Sequence, residues 1–321
     1  MTLQSNDRAM TDTKQKATIA IITCRRPEWL KRLLLALTKQ QANETTELTI
    51  LVVDNACQEE AKLVVDDVNK ASPFPIAYHT EETPGIVAAR NKCVEQFLVT
   101  DSNYLLFIDD DEWPSDEHWA MNMISAQHKY QTDVIASHVI SVGEEDTPKW
   151  AIDLIYGNNP FVEGQAMQTF YTGNLLLTRA IIEKHVPLFD SRFAMTGSSD
   201  YHFALKAIKG GASATYTDAP VIEEFPASRA TIKWFIRRGF RSGIGYTRSH
   251  LFEESKATAI ARSCVLSGVR LLRGLAYLVV GTVTLNKTTF VNGLFRIGSA
   301  VGTIAGFFGI KHDEYNTIHG K

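Results

Sequence analysis

Cysteine is scarce in this chain, and the scarcity excludes several classes of protein. Its four cysteines, Cys24, Cys57, Cys93 and Cys264, are far apart in the 321 residues and form no CxxC pair. We therefore expect neither a disulfide framework nor a cysteine-based zinc site, and a reducing cytosol suits the chain. The first seventeen residues are polar and contain no apolar signal-peptide segment, so we expect no secretion by a cleaved signal.

Motifs of several common enzyme classes are also missing. The sequence has no GxxxxGK[ST] phosphate loop, no GxGxxG after its first apolar run, no HExxH and no GxSxG. ATPases, dehydrogenases, zinc proteases and serine hydrolases depend on these motifs, so those classes lose their main support. Hydrophobic residues make up 45% of the chain and charged residues 21%. This composition excludes disorder over most of the chain and allows one large core or two modest domains.

The net charge of −3 hides two regions of opposite sign. Up to Glu224 the chain has 19 basic and 32 acidic residues, whereas from Phe225 onward it has 14 and 4. A basic C-terminal third suits an anionic membrane surface or an anionic substrate. We expect no nucleic-acid partner, because the cations lie among apolar runs and no nucleic-acid motif is present.

Apolar strands alternate with helical patterns along the first half of the chain. Strands are predicted at residues 18–23, 48–53, 76–79 and 104–108, and helices at 29–37, 59–70 and 86–98. Such alternation is typical of βαβ units and predicts an α/β fold with a mainly parallel sheet. Ligands bind such sheets beyond the carboxyl ends of the strands, where Thr23, Asp54 and Asp109 lie. Later, strands are predicted at 134–142 and 172–178, and helices at 179–185 and 200–209.

Two charge-free runs, at residues 274–286 and 297–310, stand near the end of the chain. Each would form roughly 20 Å of helix against roughly 30 Å of hydrocarbon, too short to span a bilayer comfortably. We therefore expect a re-entrant or interfacial hairpin, with a buried hairpin of a soluble domain as the alternative. Gly298, Gly302 and Gly306 recur at four-residue spacing, which permits close contact between helices.

Four consecutive acids, Asp109, Asp110, Asp111 and Glu112, follow the predicted strand at 104–108. Adjacent carboxylates repel one another, so the cluster needs protons, basic partners or a divalent cation. Hard oxygen ligands favour Mg²⁺ or Mn²⁺. A solvated loop rich in helix-capping acids is the alternative.

Three further charged residues are candidates for binding or catalysis. Asp54 can accept hydrogen bonds from a nucleoside base or ribose, or it can serve as a turn residue. Arg90 follows a glycine turn and suits either a diphosphate or a salt bridge to Asp54 or the acid cluster. Asp200 can deprotonate an acceptor hydroxyl, although Ser199 or Asp200 can instead cap the helix that begins there.

Taken together and in order, these pieces resemble the family 2 glycosyltransferases of the GT-A fold. The resemblance covers about residues 18–245. Within the family, the sequence is similar to bacterial exopolysaccharide transferases of the succinoglycan type. It is carried by residues 22–27, 52–55, 84–85, 89–91, 107–111, 172–174, 197–200 and the arginine-rich segment 237–241.

The resemblance implies a nucleotide-sugar donor, usually linked to UDP, and inversion at the anomeric carbon. Asp54 would hold the uracil or ribose, Asp109 would lie near the ribose, and Asp111 would bind a Mg²⁺ or Mn²⁺ that bridges the diphosphate. Asp200 would be the catalytic base, with Ser199 where the family usually has Glu. The remaining donor contacts are expected from Thr23, Arg25, Arg90 and Asp110, and the acceptor side from Thr172, Gly173 and Asn174.

The sequence therefore predicts a disordered leader at 1–16, a GT-A domain at 17–245 and a helical, membrane-associating region at 246–321. The expected activity is transfer of a sugar to a hydroxyl of a lipid-linked glycan acceptor in bacterial polysaccharide biosynthesis. The enzyme would lie on the cytoplasmic face of the inner membrane, in contact with lipid, as a peripheral or re-entrant protein. Two alternatives are a non-catalytic nucleotide-sugar-binding scaffold and a sugar nucleotidyltransferase. The latter would be expected to have glycines in the loop after Thr23, where the sequence has none.

Overall fold

The computed structural model describes residues 14–156, 161–194 and 196–310. Residues 1–13 of the predicted leader lie outside this range, as do the last residues from 311 to 321. The first strand already begins at Gln15, whose backbone N–H donates to the carbonyl of Thr45 at 2.8 Å. Backbone pairing therefore extends the strand over polar residues that the apolar pattern assigned to the leader.

Within the residues that the structure describes, ten strands form two sheets. They are β1 (Gln15–Thr23), β2 (Thr46–Asp54), β3 (Ile76–Thr80), β4 (Tyr104–Asp109), β5 (Glu112–Pro114), β6 (Val134–Ala136), β7 (Val139–Gly143), β8 (Asn174–Thr178), β9 (Ala214–Tyr216) and β10 (Val221–Phe225). The large sheet has the order β3-β2-β1-β4-β8-β6-β9, and the small sheet has the order β5-β10-β7. In the large sheet only β8 runs antiparallel to its neighbours, which confirms the mainly parallel α/β prediction.

Ten helices accompany the strands in the described ranges of the chain. They are α1 (Pro27–Leu37), α2 (Glu59–Asn69), α3 (Ile86–Leu98), α4 (Trp119–Tyr130), α5 (Lys149–Tyr156), α6 (Arg179–His185), α7 (Ser199–Lys209), α8 (Ile232–Glu253), α9 (Lys256–Val283) and α10 (Lys287–Ala305). The helices predicted within the first 209 residues all form, with ends that shift by two residues at most.

The large sheet is covered on both faces, which explains its continuous apolar strands. In β4, Leu106 and Ile108 face a core shared with α1, α2 and α4, whereas Leu105 and Phe107 face a core shared with α3, α6 and α7. Because both faces are buried, the central strands lack the alternation of a half-exposed strand. All four cysteines are free, as the sequence predicted.

The predicted strand at 134–142 is wrong, because the structure divides it into β6 and β7, which belong to different sheets. At the break, the Ser137 backbone N–H donates to the carbonyl of Asn174 at 3.1 Å, and the Asn174 amide donates to the carbonyl of His138 at 3.0 Å. These bonds take the chain out of the large sheet before it pairs with β10. The division opens a cleft between the two sheets.

The C-terminal region is a bundle of α8, α9 and α10. Helix α8 runs without a break through the predicted boundary between residues 245 and 246. Glycines let it cross α10 closely: a Cβ on Gly302 would lie 1.9 Å from the Phe240 carbonyl oxygen, and one on Gly243 would lie 2.2 Å from that of Ser299. The close contact expected of Gly298, Gly302 and Gly306 is therefore present, and it is made with α8.

Helices α9 and α10 form a hairpin whose arms are longer than the charge-free runs. Helix α9 has 28 residues and α10 has 19, or about 42 and 28 Å of helix. By length and composition, Lys256–Val283 and Lys287–Phe308 are each sufficient to cross a membrane. The prediction that both segments are too short is wrong, because α9 begins 18 residues before the first run and α10 begins 10 residues before the second.

Candidate active site

The carboxyl ends of β1, β2 and β4 lie side by side at one edge of the large sheet. Thr23 is in register with Asp54, and Ile22 is in register with Asp109. The amino end of the antiparallel β8 reaches the same edge, because Asn174 pairs with Ile108. The sheet topology therefore brings together residues that are up to 151 positions apart.

A cavity of about 730 Å³ opens at this edge, between the two sheets and α8. Its wall includes six of the predicted site residues, Arg90, Asp109, Thr172, Gly173, Asn174 and Asp200. The other five, Thr23, Arg25, Asp54, Asp110 and Asp111, are not part of this lining. The fold thus places Asp109 and Glu112 of the acid cluster in the same cavity as the predicted base.

Asp54 is fully buried and organises the loop after β2. Its carboxylate accepts hydrogen bonds from the backbone N–H groups of Ala56 at 2.8 Å and Gln58 at 2.9 Å, and from the Tyr78 hydroxyl at 3.0 Å. Desolvation and this bond to Asp54 raise the pKa of Tyr78. Both oxygens are therefore engaged within the chain, which is the turn role that the sequence left open for Asp54.

Asn55 has a role that the sequence reasoning missed. Its side-chain amide donates to the carbonyls of Glu81 at 2.7 Å and Thr83 at 2.8 Å, and its oxygen accepts from the Gly85 N–H at 2.8 Å. Gly85, at a φ of 117°, then leads into α3. Asn55 thereby fixes the start of the helix that carries Arg90.

Arg26, the residue after the predicted donor contact Arg25, contacts the acid cluster. The Arg26 guanidinium lies 2.8 Å from the Asp110 carboxylate and 3.5 Å from that of Asp111, and the Thr23 hydroxyl donates to Asp110 at 2.8 Å. Arg25 is exposed, with a left-handed φ of 58°. The left-handed turn at Arg25 directs the following side chain inward, a detail that a run of two arginines does not reveal.

Burial dominates the electrostatics of the acid cluster. It raises the pKa of Asp110 to about 7, against the opposing effect of Arg26. It also raises the pKa of Asp111, which Asp109 raises further, and it holds the pKa of Glu112 well above its usual range. The cluster thus contains more negative charge than Arg26 balances, a condition that a divalent cation relieves.

Asp109 is the member of the aspartate triplet that faces the cavity. Its side chain is 33% exposed, and one oxygen lies 3.4 Å from the guanidinium of the buried Arg90. Arg90 also lies above the ring of Phe189, 5.8 Å from its centroid. The salt bridge that the sequence offered as one alternative for Arg90 is present, and it places a cation at the cavity wall.

The donor set at this edge fits a metal bound mainly by its substrate. In the part of the chain that the structure describes, no three His, Cys, Asp or Glu side chains converge as a complete metal site. Carboxylate oxygens of Asp109 and Asp111 are the hard ligands that Mg²⁺ and Mn²⁺ prefer, and such ions take their other ligands from phosphates and water. The residues therefore suit a metal that arrives with a diphosphate.

Asn174 and Gly173 shape the wall rather than presenting free polar groups. The Asn174 oxygen accepts from the Trp119 indole N–H at 3.0 Å, and its amide donates to the carbonyls of His138 and Ala219. A Cβ on Gly173 would lie 2.6 Å from the Glu112 carboxylate, so only glycine allows this close approach. Thr172 is buried beside them.

Asp200 lies in the first turn of α7 and is not the helix cap. The N-cap position is Ser198, at a φ of 69°, and no side chain caps the helix there. The prediction of Ser199 or Asp200 as the cap is therefore wrong. One Asp200 oxygen accepts from the Tyr201 N–H at 2.8 Å, and the side chain lies in the cavity wall.

Two features of the cavity were not predicted. Glu223 pairs directly with Glu112 across β10 and β5, and burial, with Asp111 nearby, raises the pKa of Glu223 to about 7. The lining also includes Arg238 and Arg241 from α8 and Arg270 from α9, which we call the arginine wall, and Arg238 lowers the pKa of Glu223 against the effect of burial. The segment 237–241 carried a sequence signal, but nothing local indicates that Arg270 joins it.

Comparison with known proteins gives one sequence relative that covers nearly the whole chain. The succinoglycan biosynthesis protein ExoM of Rhizobium meliloti (strain 1021) is 26% identical over 300 residues, which are 92% of this chain and 94% of that protein.

Solved structures share the fold at low sequence identity. The mannosyltransferase PcManGT from Pyrobaculum calidifontis, in complex with GDP-Man and Mn²⁺, matches with a TM-score of 0.61 at 16% identity, over 91% of this chain and 87% of that one. S. aureus TarS 1-349 in complex with UDP matches with a TM-score of 0.51 at 14% identity, over 96% and 95% of the two chains. The GT-A prediction is thereby confirmed.

The family model described as Glycosyl transferase family 2 matches residues 18–186. This match spans β1 to α6 and so includes the strand ends, the acid cluster and the segment 172–174. Because it covers more than half of the sequence, the chain belongs to glycosyl transferase family 2.

Proposed function

We propose that this glycosyltransferase moves a sugar from a nucleotide-diphosphate donor to a hydroxyl of a glycan acceptor, with inversion at the anomeric carbon. The observation that carries the proposal is the shared cavity, with Asp109 at the end of β4, Arg90 on α3 and Asp200 on α7 in the same wall. In-line displacement needs a base opposite the leaving diphosphate. Two separate elements facing one cavity provide such opposed positions.

In this proposal the donor binds at the strand ends and beside Arg90 of α3. Arg90 and Asp109 contact the diphosphate and ribose, Asp54 contributes through the loop that its hydrogen bonds organise, and Asp111 with Asp109 holds Mg²⁺ or Mn²⁺. When bound, the metal neutralises charge that develops on the leaving diphosphate. Thr23, Arg26 and Asp110 support this edge by the contacts described above, and Arg25 lies at its exposed rim.

A UDP-sugar is the proposed donor. The fold relatives support a nucleotide-linked donor without deciding its nucleobase, since one was solved with GDP-Man and another with UDP.

Asp200 is the proposed general base. Its carboxylate accepts the proton of the acceptor hydroxyl while the hydroxyl oxygen bonds to the anomeric carbon and the bond to the diphosphate breaks. An alcohol is a weak acid, so a positioned base contributes about 10²–10⁴ in rate. Thr172 and Gly173 form the adjoining wall, and Asn174 holds that wall in place.

The proposed acceptor is a lipid-linked glycan in bacterial polysaccharide biosynthesis, at the cytoplasmic face of the inner membrane. Helices α9 and α10 support contact with lipid, because both are long and apolar, and only 11% of an apolar 18-residue stretch of α9 is buried. A peripheral or re-entrant attachment brings the cavity close to a membrane-bound acceptor.

The decisive experiment combines donor binding with turnover. We expect a UDP-sugar with Mn²⁺ to raise the melting temperature of the full-length protein and to release UDP when a glycan acceptor is added. GDP-sugars serve as the comparison that tests which nucleobase the donor carries. Stabilisation by a nucleotide sugar without transfer to any acceptor would instead support the scaffold alternative, and formation of a sugar nucleotide from a nucleoside triphosphate would support the nucleotidyltransferase.

A further inference from the structure

The arginine wall lies beside the proposed base. The Tyr171 hydroxyl is within electrostatic range of Asp200, Arg238 and Arg270 at once. Arg241 lines the same cavity. The wall is therefore an additional cationic region on α8 and α9, carried by different elements from the donor-end Arg90 on α3.

Contacts with neighbouring groups position the guanidinium groups of this wall. Arg270 donates to the Thr303 hydroxyl of α10 at 2.9 Å and lies 5.1 Å from the centroid of the Tyr246 ring. Arg238 lies 5.1 Å from the centroid of the Trp234 ring. Planar guanidinium groups bind phosphate oxygens in a bidentate manner, and restrained arginines lose less conformational entropy when they do so.

An apolar groove runs along the surface of α9 from the edge of this wall. We call it the α9 groove; it has a volume of about 770 Å³ and is lined by Tyr246 together with residues of α9 that include Ala261, Arg262, Val265 and Val269. Tyr246 belongs to the linings of both the cavity and the groove. One side chain thus separates a cationic pocket from an aliphatic surface.

The aliphatic side chains of the groove are exposed. Val265 is 68% exposed and Val269 is 40% exposed. From Ala257 to Val269 the groove follows about 18 Å of helix. A soluble sugar needs neither an arginine wall nor such a surface, whereas an amphiphile with an anionic head needs both.

We infer that the arginine wall and the α9 groove together bind one amphiphilic acceptor, in which a phosphate or diphosphate joins the sugar to an apolar chain. The anionic group lies at Arg238, Arg241 and Arg270, the sugar hydroxyl reaches Asp200, and the apolar chain passes Tyr246 into the α9 groove. This inference rests on the proposed function and adds the site at which the acceptor's non-sugar part is recognised.

Binding of geranylgeranyl diphosphate to the full-length protein in mild detergent tests the inference, with equilibrium dialysis as the measurement. We expect the double change Arg238→Gln and Arg241→Gln to weaken binding at least tenfold, and Arg241→Lys to weaken it less. The neighbouring exposed Arg237 provides the matched control, and Arg237→Gln should bind like the parent. We expect Val265→Asp to weaken binding about tenfold, whereas Val279→Asp, on the same helix outside the groove, should not.

Competition and donor binding separate the possible outcomes. We expect inorganic diphosphate and geranylgeraniol each to compete poorly, because each fills only one half of the site. Equal binding by the wall variants and their controls overturns the inference, as does full competition by inorganic diphosphate with no effect of Val265→Asp. A parallel loss of UDP binding in the arginine variants also overturns it, by assigning the wall to the donor. Failure of the parent to bind either UDP or GDP refutes the proposed function and is a separate readout.

Discussion

Helices α1 and α9 are both rich in apolar residues, but they bury opposite kinds of side chain. In α1 the buried residues are Leu30, Leu33, Leu34 and Leu37, which pack against the large sheet. In α9 the buried residues are small, namely Ala259, Ser263, Ser267, Gly274 and Gly281. Its large residues face outward, among them Val265, Leu271, Leu272, Leu275, Val279, Val280 and Val283.

The difference supports the proposed contact of α9 with lipid. A helix in a protein core hides its large apolar side chains, because their burial stabilises the fold. Small residues at a helix contact, with large ones facing outward, are typical of helices that contact lipid. Soluble monomers rarely expose one broad apolar face, and the basic Arg262 and Arg273 beside it suit anionic headgroups.

The largest expected effect concerns Asp200, where the sheet region and the helical region meet. We expect Asp200→Asn to lower turnover by about 10²–10⁴, because the amide keeps the shape of the side chain but cannot accept the proton. UDP binding should be unchanged, and the exposed Asp66→Asn provides the control. Retention of more than half of the parental rate would restrict Asp200 to a structural role in the first turn of α7.

The comparison of α1 and α9 predicts that a change of leucine to alanine lowers the free energy of unfolding more in α1 than in α9. We expect Leu33→Ala to lower the free energy of unfolding by about 2–5 kcal/mol, because it leaves a cavity in the core. Leu272, 70% exposed on α9, should tolerate alanine within about 0.5 kcal/mol. Urea unfolding in mild detergent measures both. Equal costs would show that Leu272 is packed in the folded protein.

The crossing of α8 and α10 predicts opposite effects of adding one methyl group. We expect Gly302→Ala to lower the free energy of unfolding by about 1–3 kcal/mol, because its Cβ would meet the Phe240 carbonyl. Gly268 on α9 has no heavy atom within 4 Å of such a Cβ, and Gly268→Ala should raise it by up to about 1 kcal/mol. Thermal unfolding measures both variants, and equal changes in their free energy of unfolding would contradict the close crossing of α8 and α10.

Membrane contact is predicted for α9 and not for the sheet region. We expect Leu272→Asp to weaken co-sedimentation with anionic vesicles about tenfold, because burying a leucine contributes about 1.5–3 kcal/mol. Leu63→Asp, at the 58% exposed Leu63 of α2, should leave it unchanged.

Salt separates two modes of attachment in the same assay. At 1 M salt the screening length is about 3 Å, so a peripheral protein is released while an inserted hairpin stays bound. Absence of the parent protein from the vesicle fraction at low salt would make the hairpin a packing element only.

The smallest effect is a dependence of stability on pH at the junction of α7 and α8. Burial lowers the pKa of His202 below 6.5, against the opposing effect of Glu253, whose carboxylate lies 2.9 Å away. The unfolded chain then binds this proton more readily, so the stability present above pH 6.5 is lost as the pH falls. We expect His202→Gln to reduce the slope of stability between pH 6.5 and 5, by at most about 1.4 kcal/mol per pH unit. An unchanged slope would contradict the prediction.

Apolar patterning was sufficient to predict the carboxyl ends of β1, β2 and β4 and the helices α1, α2, α3, α6 and α7, but not α4 or α5. Alternating apolar runs indicate βαβ units, and a parallel sheet places the ends of its strands at one edge, so Thr23, Asp54 and Asp109 could be grouped without coordinates. Periodicity of this kind depends on local backbone geometry, which neighbouring residues largely decide.

Tertiary structure alone decided which side chains meet at that edge and around it. Arg26 contacts Asp110, Tyr78 donates to Asp54, and Arg270 lines the same cavity as Arg238 from a different helix. These partners are tens of positions apart, and charge or apolar content gives no direction in which a side chain points. The exposure of α9 was undecided for the same reason, because a run of apolar residues is compatible with either a protein core or a lipid surface.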